Sequence, residues 1–496
     1  MKRKIIMFLS ILAFGLPAFS QTIFPDNGIK DQRSEYYLFK NATIHVDYKT
    51  TIQNGWLLIK SDRIEKIGKD FDFPKSAVVI DLTGKHIYPS FVDIYSDYGM
   101  PEIKRTRGGG FGETQFNSSK EGAFAWNQAI KPEVKAADLL KFNSKTAEEL
   151  RKIGFGSVVS HNKDGIVRGT SVLASLAEAK EQEILLRNEI SNHFSFDKGT
   201  STQTYPVSLM GSVALLRQTY YDALWYKNTN AKLERNISLE IFSKNLTLPS
   251  VFNGKSVLDA LRADKIGKEF GVKYIIKSGG DDYQRIDELK SVNVHLIVPI
   301  NFPKALDVED PMDAEKISLT DLKHWEMAPS NLAKLASSGL NFSISPVDLS
   351  DKSLFLPNLQ KAISSGLDKS AALNALTGSP SKLLNIDDLV GSIKNGLLAN
   401  FLITSEEIFE TKNKILENWV QGKKYIITDI SLANINGKYD LNLGAKSNLR
   451  FEISGENEKP SIEIIENDTT KIKTTVVRDK NFFYITLFNR LNASGL

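Results

Sequence analysis

The sequence predicts an α/β protein whose central region closes into a TIM-like (β/α)8 barrel, with small antiparallel β-structure on both sides of it. Three observations predict this class. Short strands broken by Gly, Asp and Asn occupy residues 36–88 and return at 386–428. Strand and helix signals alternate over 89–385. Apolar residues recur with period two over 430–496, which is typical of an antiparallel β segment.

The central region is predicted from strand and helix signals that follow one another. Phe91–Tyr95 is an apolar run typical of a buried strand, and residues 144–152 have helical spacing before the strand Ser157–Ser160. Ser256 is an N-cap residue type in front of a helix that we expect to end at Phe270. About 290 residues of this alternation favour a (β/α)8 barrel; the alternative is a doubly wound sheet.

The last segment, 430–496, has the alternation of an antiparallel sheet with one buried face. Its apolar positions include Leu449, Phe451 and Ile453. The pattern accounts for about four strands, and an unpaired edge strand would invite association with other chains. We therefore expect a C-terminal β domain, and the sequence leaves open that this domain is incomplete.

Composition and charge exclude several classes of protein. The 496 residues are 41% hydrophobic and 25% charged, which excludes a disordered or fibrous chain. The net charge is +4, the two signs are interleaved, and no basic block resembles a nucleic-acid footprint, so we expect no nucleic-acid partner. The absence of cysteine excludes disulfides, thiolate metal sites and cysteine nucleophiles.

Residues 1–20 have the pattern of a signal peptide. Three basic residues precede the apolar run Ile5–Phe19, which is short for a membrane span and ends in the small-residue cleavage pattern Ala18-Phe19-Ser20. The alternative is a membrane anchor, but polar residues begin immediately afterwards. We expect an exported protein of the periplasm or extracellular space, with no membrane association after cleavage.

Two widely separated stretches resemble the amidohydrolase superfamily. Residues 54–68 read NGWLLIKSDRIEKIG, and VIDLTGKHIYPSFVD follows at 79–93. Residues 371–384 read AALNALTGSPSKLL, and VGSIKNGLLANFLI follows at 390–403. The resemblance is greatest to the secreted, imidazolonepropionase-like group. It implies a TIM-like barrel at 89–385 that is inserted in a composite β-sandwich made of 36–88 and 386–428, and it implies metal-dependent hydrolysis of non-peptide C–N bonds.

The positions at which the resemblance places metal ligands carry other residue types. Tyr95 and Asp97 stand at the two histidine positions after the first barrel strand, and Asn253 and Ser278 stand near the histidines expected after the fifth and sixth strands. Asp348 matches the aspartate expected after the eighth strand with an offset of one residue. Phenol, hydroxyl and amide groups do not replace imidazole as zinc ligands. We therefore expect no metal there, and Asp348 is the candidate catalytic residue that the resemblance supplies.

Further polar residues are expected at the same mouth of the barrel. The ammonium of Lys277, if it points inward, would take the place of a metal cation by pairing with Asp348 or Asp97. Arg168 follows a predicted strand and could clamp an anionic substrate, although a surface hairpin is the simpler interpretation. His161 is a second candidate for substrate binding, although an ordinary loop histidine is the simpler interpretation.

Two other patterns favour structural interpretations. The Gly-rich run Arg107–Gly112 lacks the Lys and Ser or Thr of a phosphate-binding loop, so we interpret it as a mobile loop. Tyr221 and Trp225 share the i, i+4 spacing of one helix face, which is more typical of core packing than of a ligand platform.

Two functions from different classes are compatible with these observations. The first is an active amidohydrolase with an unusual mononuclear site, which would need zinc or another divalent metal. The second is a pseudoenzyme without a cofactor, which would serve as a scaffold or a small-molecule-binding domain and partner an intact amidohydrolase domain or subunit. The substituted ligand positions favour the second function.

Overall fold

The computed structural model describes residues 35–104, 114–228, 234–429 and 435–442, together with strand segments at 448–456, 459–467, 470–479 and 482–486. The signal-peptide pattern and the Gly-rich run Arg107–Gly112 lie outside the described residues. What is described is a mixed α/β fold with several β-sheets. Among these residues, no helix has both the length and the apolar character needed to cross a bilayer.

Strands and helices alternate through the central region, as the sequence predicts. The described strands are β1 (Tyr36–His45), β2 (Thr51–Lys60), β3 (Arg63–Gly68), β4 (Val78–Asp81), β5 (His86–Pro89), β6 (Phe91–Ser96), β7 (Phe155–Ser160), β8 (Val167–Thr170), β9 (Val172–Ser175), β10 (Leu185–Arg187), β11 (Asn192–Ser195), β12 (Ser250–Asn253), β13 (Tyr274–Lys277), β14 (His295–Pro299), β15 (Phe342–Ser345), β16 (Phe401–Thr404), β17 (Ile415–Val420), β18 (Lys423–Ile426), β19 (Gly437–Asn442), β20 (Asn448–Glu456), β21 (Lys459–Asn467), β22 (Thr470–Asp479) and β23 (Phe482–Thr486). The described α-helices are α1 (Ala136–Leu139), α2 (Ser144–Lys152), α3 (Glu181–Ile184), α4 (Leu209–Asn228), α5 (Ile237–Asn245), α6 (Val257–Phe270), α7 (Ile286–Val292), α8 (Pro311–Ala314), α9 (Leu319–Met327), α10 (Asn331–Ser337), α11 (Phe355–Ser364), α12 (Lys369–Leu376) and α13 (Gly378–Leu383).

One sheet joins the two β-rich regions of the sequence. Its strand order is β18-β17-β16-β5-β1-β2-β3, with β4 paired to β1. β5 and β16 are antiparallel neighbours, with Ile87 opposite Ile403. Phe39, Phe401 and Trp419 pack on one another with ring centroids 5.1–5.7 Å apart. Because these rings come from β1, β16 and β17, the two chain segments depend on each other for a common core.

The central region contains two further sheets, with strand orders β10-β9-β7-β6 and β15-β14-β13-β12-β11-β8. Strands β11 to β15 are parallel to one another, as are β6 and β7. Apolar side chains from both sheets, including Val92, Val159, Leu173, Val251 and Ile297, pack in one buried cluster. The opposite faces of these strands pack against the helices in a second cluster. Such burial on both faces is typical of parallel strands.

Local signals in the sequence account for the helix ends. Ser256 caps α6 through its Oγ, which accepts a hydrogen bond from the backbone N–H of Asp259 at 3.4 Å. Gly271 ends the same helix in the left-handed conformation, with φ at 70°, which glycine adopts without a Cβ clash. The helix predicted from Ser256 to Phe270 is therefore confirmed.

The prediction for the aromatic pair on α4 is wrong. Tyr221 and Trp225 are 51% and 66% exposed, whereas Leu216 and Tyr220 are buried. Tyr220 faces the sheet, where its hydroxyl and that of Tyr274 are 2.5 Å apart. The i, i+4 spacing identified a common face correctly, but that face points to solvent.

The C-terminal region contains an antiparallel sheet of β19 to β23 in sequential order. Ile453 lies opposite Ile462 in the pairing of β20 with β21, and both side chains are buried. Phe451 is half-buried and stacks on Tyr439 at a centroid distance of 5.5 Å. The side chain of Leu449 lies outside the described residues. Ile453 thus faces the buried side that the alternation predicts for it.

A buried amide joins the first sheet to the central region. Asn418, on β17, donates from Nδ2 to the carbonyl oxygens of Arg151 (3.1 Å) and Phe155 (2.9 Å). Its Oδ1 accepts a hydrogen bond from Ser90 Oγ at 2.9 Å. All of these residues are buried, so water does not replace a lost partner easily.

We expect Asn418→Ala to lower the free energy of unfolding by about 2–4 kcal/mol, because three buried groups lose a partner at once. Urea denaturation followed by circular dichroism measures this loss. Asn301→Ala, which removes an exposed amide, is the control and should change stability by less than about 0.5 kcal/mol. A loss below about 1 kcal/mol for Asn418→Ala would contradict the role of this amide.

Candidate functional site

Most of the predicted site residues meet at the carboxyl ends of the central strands. Tyr95 lies near the end of β6 and Asp97 follows that strand, His161 follows β7, and Lys277 is the last residue of β13. Asp348 follows β15 by three residues. Because carboxyl ends of parallel strands meet at one edge, the fold gathers side chains that are far apart in the sequence.

An ion pair between Lys277 and Asp348 is the main contact of the site. The Lys277 Nζ donates a hydrogen bond to Asp348 Oδ2. The Lys277 side chain is 7% exposed, and that of Asp348 is 47% exposed. Asp348 has a φ of 66°, a left-handed conformation that Asp and Asn adopt more readily than most residues. The pairing expected for Lys277 is therefore present, with Asp348 as its partner.

Asp97 has a different lysine partner. Lys163 Nζ lies 3.3 Å from Asp97 Oδ2 and 5.3 Å from the centroid of the Tyr95 ring. Asp97 is mostly exposed, so this pair lies at the solvent side of the site. Both aspartates that could bind a cation thus already contact an ammonium group.

Asn253 and Ser278 do not join this cluster. Asn253, at the end of β12, lines a separate cavity of about 490 Å³ together with Ser195 and Lys255. Ser278 is buried and donates from its Oγ to Asp282 Oδ2 at 2.9 Å. Neighbouring residues of a strand point to opposite faces, so the side chain of Ser278 diverges from that of Lys277.

The donor set does not fit a catalytic metal ion of the kind that the resemblance implies. A catalytic zinc site takes three protein ligands, usually with imidazole among them. Here the matching positions offer a phenol, an amide, a hydroxyl and two carboxylates that are paired with lysines. In the part of the chain that the structure describes, no three His, Asp or Glu side chains converge on a point where a metal could bind.

A cavity of about 280 Å³ opens beside the two ion pairs. Its wall includes Asp93, Tyr95, Lys163, Asp348 and Lys352. Burial raises the pKa of Asp93, and hydrogen bonds from Ser345 Oγ (2.7 Å) and the Tyr95 N–H (3.1 Å) oppose this shift. The cavity is large enough for a small organic molecule or ion and offers charged groups of both signs.

Tyr95 also contacts a buried group of polar residues. The His161 and His193 rings are stacked, with centroids 3.6 Å apart, and the Tyr95 ring lies 4.7 Å from that of His161. Arg168 Nη1 donates a hydrogen bond to the Tyr95 hydroxyl at 3.1 Å. Tyr95, His161, Arg168 and His193 together are named the Arg168 cluster.

Burial in the Arg168 cluster corrects two sequence interpretations. His161 is fully buried and Arg168 is 3% exposed, so neither an ordinary loop histidine nor a surface hairpin describes them. Arg168 lies on β8, which pairs with β11 and is covered on both faces. His193 is on β11 and was missed as a site residue, because a strand of four residues is too short to show a clear alternation.

Both histidines of the cluster are neutral at neutral pH. Burial lowers their pKa values well below 6.5; His193 lowers that of His161 further, and the positive charges of Arg168 and Lys163 lower both. His193 Nε2 lies 2.9 Å from Ser191 Oγ. Among the described residues, no group forms a well-aligned hydrogen bond with either ring nitrogen of His161 or with Nδ1 of His193, although the nearby Ser96 backbone acts to raise the pKa of His161.

Comparison with known structures supports the resemblance seen in the sequence. A crystal structure of an amidohydrolase from Thermotoga maritima superimposes with a TM-score of 0.59 and 21% identity, over 78% of this chain and 99% of that chain. This chain has an amidohydrolase fold. The structure of molinate hydrolase aligns at a TM-score of 0.45 and 13% identity, over 81% of this chain and 97% of that one. This similarity is too low to support a conclusion about the fold.

The sequence comparisons are narrower. No protein-family model matches the chain. A segment of 65 residues is 38% identical to a dihydroorotase from Caldicellulosiruptor saccharolyticus. The matched segment covers 13% of this chain and 15% of that protein. The amidohydrolase resemblance is therefore confirmed for the fold.

We expect Asp348→Asn to destabilise this amidohydrolase fold, since it leaves the Lys277 ammonium buried without a counterion. The expected loss is about 1–2 kcal/mol, less than for a fully buried pair because Asp348 is partly exposed. Lys277→Met combined with Asp348→Asn should recover most of the loss, because no buried charge remains. Urea denaturation of the single and double variants is the measurement, and equal losses in both would be evidence against the ion pair.

The neutral histidines make stability dependent on pH. The unfolded chain binds protons at these residues near pH 6.5 and the folded protein does not, so stability is complete above that pH and is lost as the pH falls below it. The slope of the unfolding free energy against pH is therefore positive below pH 6.5. His161→Gln should reduce this slope by up to about 1.4 kcal/mol per pH unit between pH 6 and 5. Urea denaturation at several pH values tests this. His45 and His295, whose pKa values are lowered to about 4, contribute equally to both proteins. The same slope in wild type and variant would refute the prediction.

Proposed function

We propose that this chain is a degenerate, metal-free copy of the amidohydrolase fold that binds a small molecule instead of hydrolysing it. The ion pair between Lys277 and Asp348 carries the proposal. The ammonium lies beside the carboxylate that the resemblance assigns to catalysis, so a protein cation takes the place of a metal cation. The cavity of about 280 Å³ beside this pair is the proposed ligand site.

The chemistry of hydrolysis supports the proposal. Amide hydrolysis near pH 7 needs a group that activates water, and metal-dependent hydrolases obtain it by lowering the pKa of a metal-bound water. At this mouth, Asp97 and Asp348 are both paired with lysines. The same lysines would also repel a divalent cation by their charge.

The proposal includes closure of the two central sheets into a (β/α)8 barrel at 89–385. Ser345 Oγ donates to Asp93 Oδ1 at 2.7 Å, a bond that joins β15 to β6. The backbone N–H of Ser171 donates to the Ser191 carbonyl at 2.9 Å, which joins the segments before β9 and β11. The first contact joins β15 to β6, which are edge strands of the two sheets, as a closed barrel requires; the second lies beside the inner strands β9 and β11. We further propose that 36–88 and 386–428 form the composite β-sandwich domain, and that 430–496 is a separate β domain.

Export and partnership complete the proposed function. The signal-peptide pattern of residues 1–20 supports export to the periplasm or the extracellular space. A domain without its own catalysis gains a role when it accompanies an active one. We therefore propose an intact amidohydrolase domain or subunit as the partner, with this chain as its scaffold or ligand-binding component.

An active hydrolase with a mononuclear metal site is the second candidate function. The observation in its favour is the set of imidazole nitrogens without well-aligned partners on His161 and His193, which lie at the same mouth. Neutral imidazole is a common ligand for zinc. The two functions differ in metal content and turnover, which the following experiment measures.

We expect the full-length chain, purified without chelators, to contain far less than one equivalent of zinc, manganese or iron by mass spectrometry. Dipeptide, hydantoin and lactam substrates should not be hydrolysed when zinc or manganese is added. Stoichiometric metal, together with turnover that disappears in Asp348→Asn, would establish the hydrolase instead. Asp307→Asn, which changes an exposed carboxylate, is the matched control and should leave any activity unchanged.

A further inference from the structure

We infer that the Arg168 cluster binds a small oxyanion, a carboxylate or a phosphate, as the ligand of this site. The inference deepens the proposed function and rests on it, because it names the chemical class of the bound molecule. Three observations carry it: a buried guanidinium without a counterion, buried imidazole nitrogens without well-aligned partners, and a cavity that shares Tyr95 with the cluster.

The Arg168 guanidinium is buried without an acidic partner. Its Nε donates to the Gly165 carbonyl at 3.0 Å, and its Nη1 donates to the Tyr95 hydroxyl at 3.1 Å. Among the described residues, no carboxylate lies within 4.0 Å of it. Two neutral acceptors do not offset the cost of removing a guanidinium from water, which is several kcal/mol. An anion bound at this position would supply the missing charge.

Arg151 shows how the same chain neutralises a buried arginine. It is as deeply buried as Arg168, at 3% exposure. Its Nη2 lies 2.9 Å from Glu178 Oε1, and its Nη1 donates to the Leu176 carbonyl. Arg151 also stacks on the Tyr425 ring, at 4.0 Å from its centroid. The two arginines are equally buried, but of these two only Arg151 has an acidic partner among the described residues.

The histidines of the cluster add complementary hydrogen-bonding groups. A neutral imidazole has one N–H donor and one acceptor nitrogen, and both nitrogens of His161 are buried without well-aligned partners. An oxyanion would accept hydrogen bonds from Arg168 and from the imidazole N–H. Burial and the nearby cations hold His161 neutral. The positive charge of the Arg168 cluster is therefore that of Arg168.

A cavity adjoins the cluster at Tyr95. Tyr95 lines the cavity of about 280 Å³, and its side chain contacts both Arg168 and His161. Of the carboxylates on the same wall, Asp97 and Asp348 are paired with lysines, and Asp93 accepts hydrogen bonds from Ser345 and Tyr95. Lys352 also lines the wall; its Nζ donates to the carbonyl oxygens of Pro346 (2.7 Å) and Leu349 (2.9 Å), and its charge would attract an anion.

The test measures anion binding by the full-length protein. Sodium acetate and sodium phosphate are titrated calorimetrically at pH 7.5, with sodium chloride at matched ionic strength as the reference. We expect heat of binding and a higher unfolding temperature with acetate, phosphate or both, but not with chloride. A response to acetate identifies a carboxylate ligand, and a response to phosphate identifies a phosphate ligand; either result supports the inference.

Variants locate the bound anion. Arg168→Gln should weaken binding at least about tenfold, because a charge-assisted hydrogen bond is lost. Arg168→Lys should retain part of the affinity, and His161→Gln should weaken binding several-fold. Arg151→Gln is the matched control: it removes a buried arginine elsewhere and should leave affinity unchanged, even though it lowers stability. Circular dichroism verifies that each variant is folded.

Two results would overturn the inference: no response to either oxyanion, or affinity in folded Arg168→Gln within twofold of wild type. These results are distinct from failure of the proposed function. If no oxyanion binds and the protein is also metal-free and inactive, this inference fails and the proposed function stands. If metal-dependent turnover is found while Arg168-dependent anion binding persists, the metal-free proposal fails and the oxyanion site remains.

Discussion

The antiparallel pairing of β5 with β16 is the contact on which the rest of the architecture depends. It brings the two ends of the central region together, since β6 begins two residues after β5 ends and β16 follows the last helices. Asn400, directly before β16, donates to Ser157 Oγ on β7 at 3.0 Å and accepts from the backbone N–H of Gln421 at 2.7 Å. The first sheet thereby positions β6, which carries Tyr95, and β7, which His161 follows.

Buried charge is the second constraint, and the chain meets it in two ways. Lys277 and Arg151 are each neutralised by a carboxylate of the protein itself. Arg168 is surrounded by neutral groups: a phenol, a carbonyl and two uncharged imidazoles. Because the chain pairs both Lys277 and Arg151 with an acid but leaves Arg168 without one among the described residues, the position of Arg168 has the character of a binding site.

Much of the fold was predictable because its signals are local. The Ser256 cap, the glycine that ends α6 and the apolar strands of the central region act over a few residues, and the structure has each of them. An ion pair of Lys277 with Asp348 or Asp97 was also predictable, because these residues stand at positions of a pattern that resembles a known family, and the structure decided for Asp348. Two interpretations failed at Arg168 and His161, where exposure depends on which strands pack above and below. The prediction that Tyr221 and Trp225 pack in the core failed for a related reason. Their spacing defines a helix face but does not say whether that face points to the core or to solvent.

The sequence by itself determined the alternation of strands and helices in the central region, the resemblance to amidohydrolases and the substitution of the usual ligand positions. Each of these follows from residue type and spacing along the chain. Only the tertiary structure decided that His193 stacks on His161, that Arg168 is buried without an acid, and that Tyr95 connects both to a cavity. These facts depend on contacts between β6, β7, β8 and β11, whose distances in space are set by sheet pairing and not by separation in sequence.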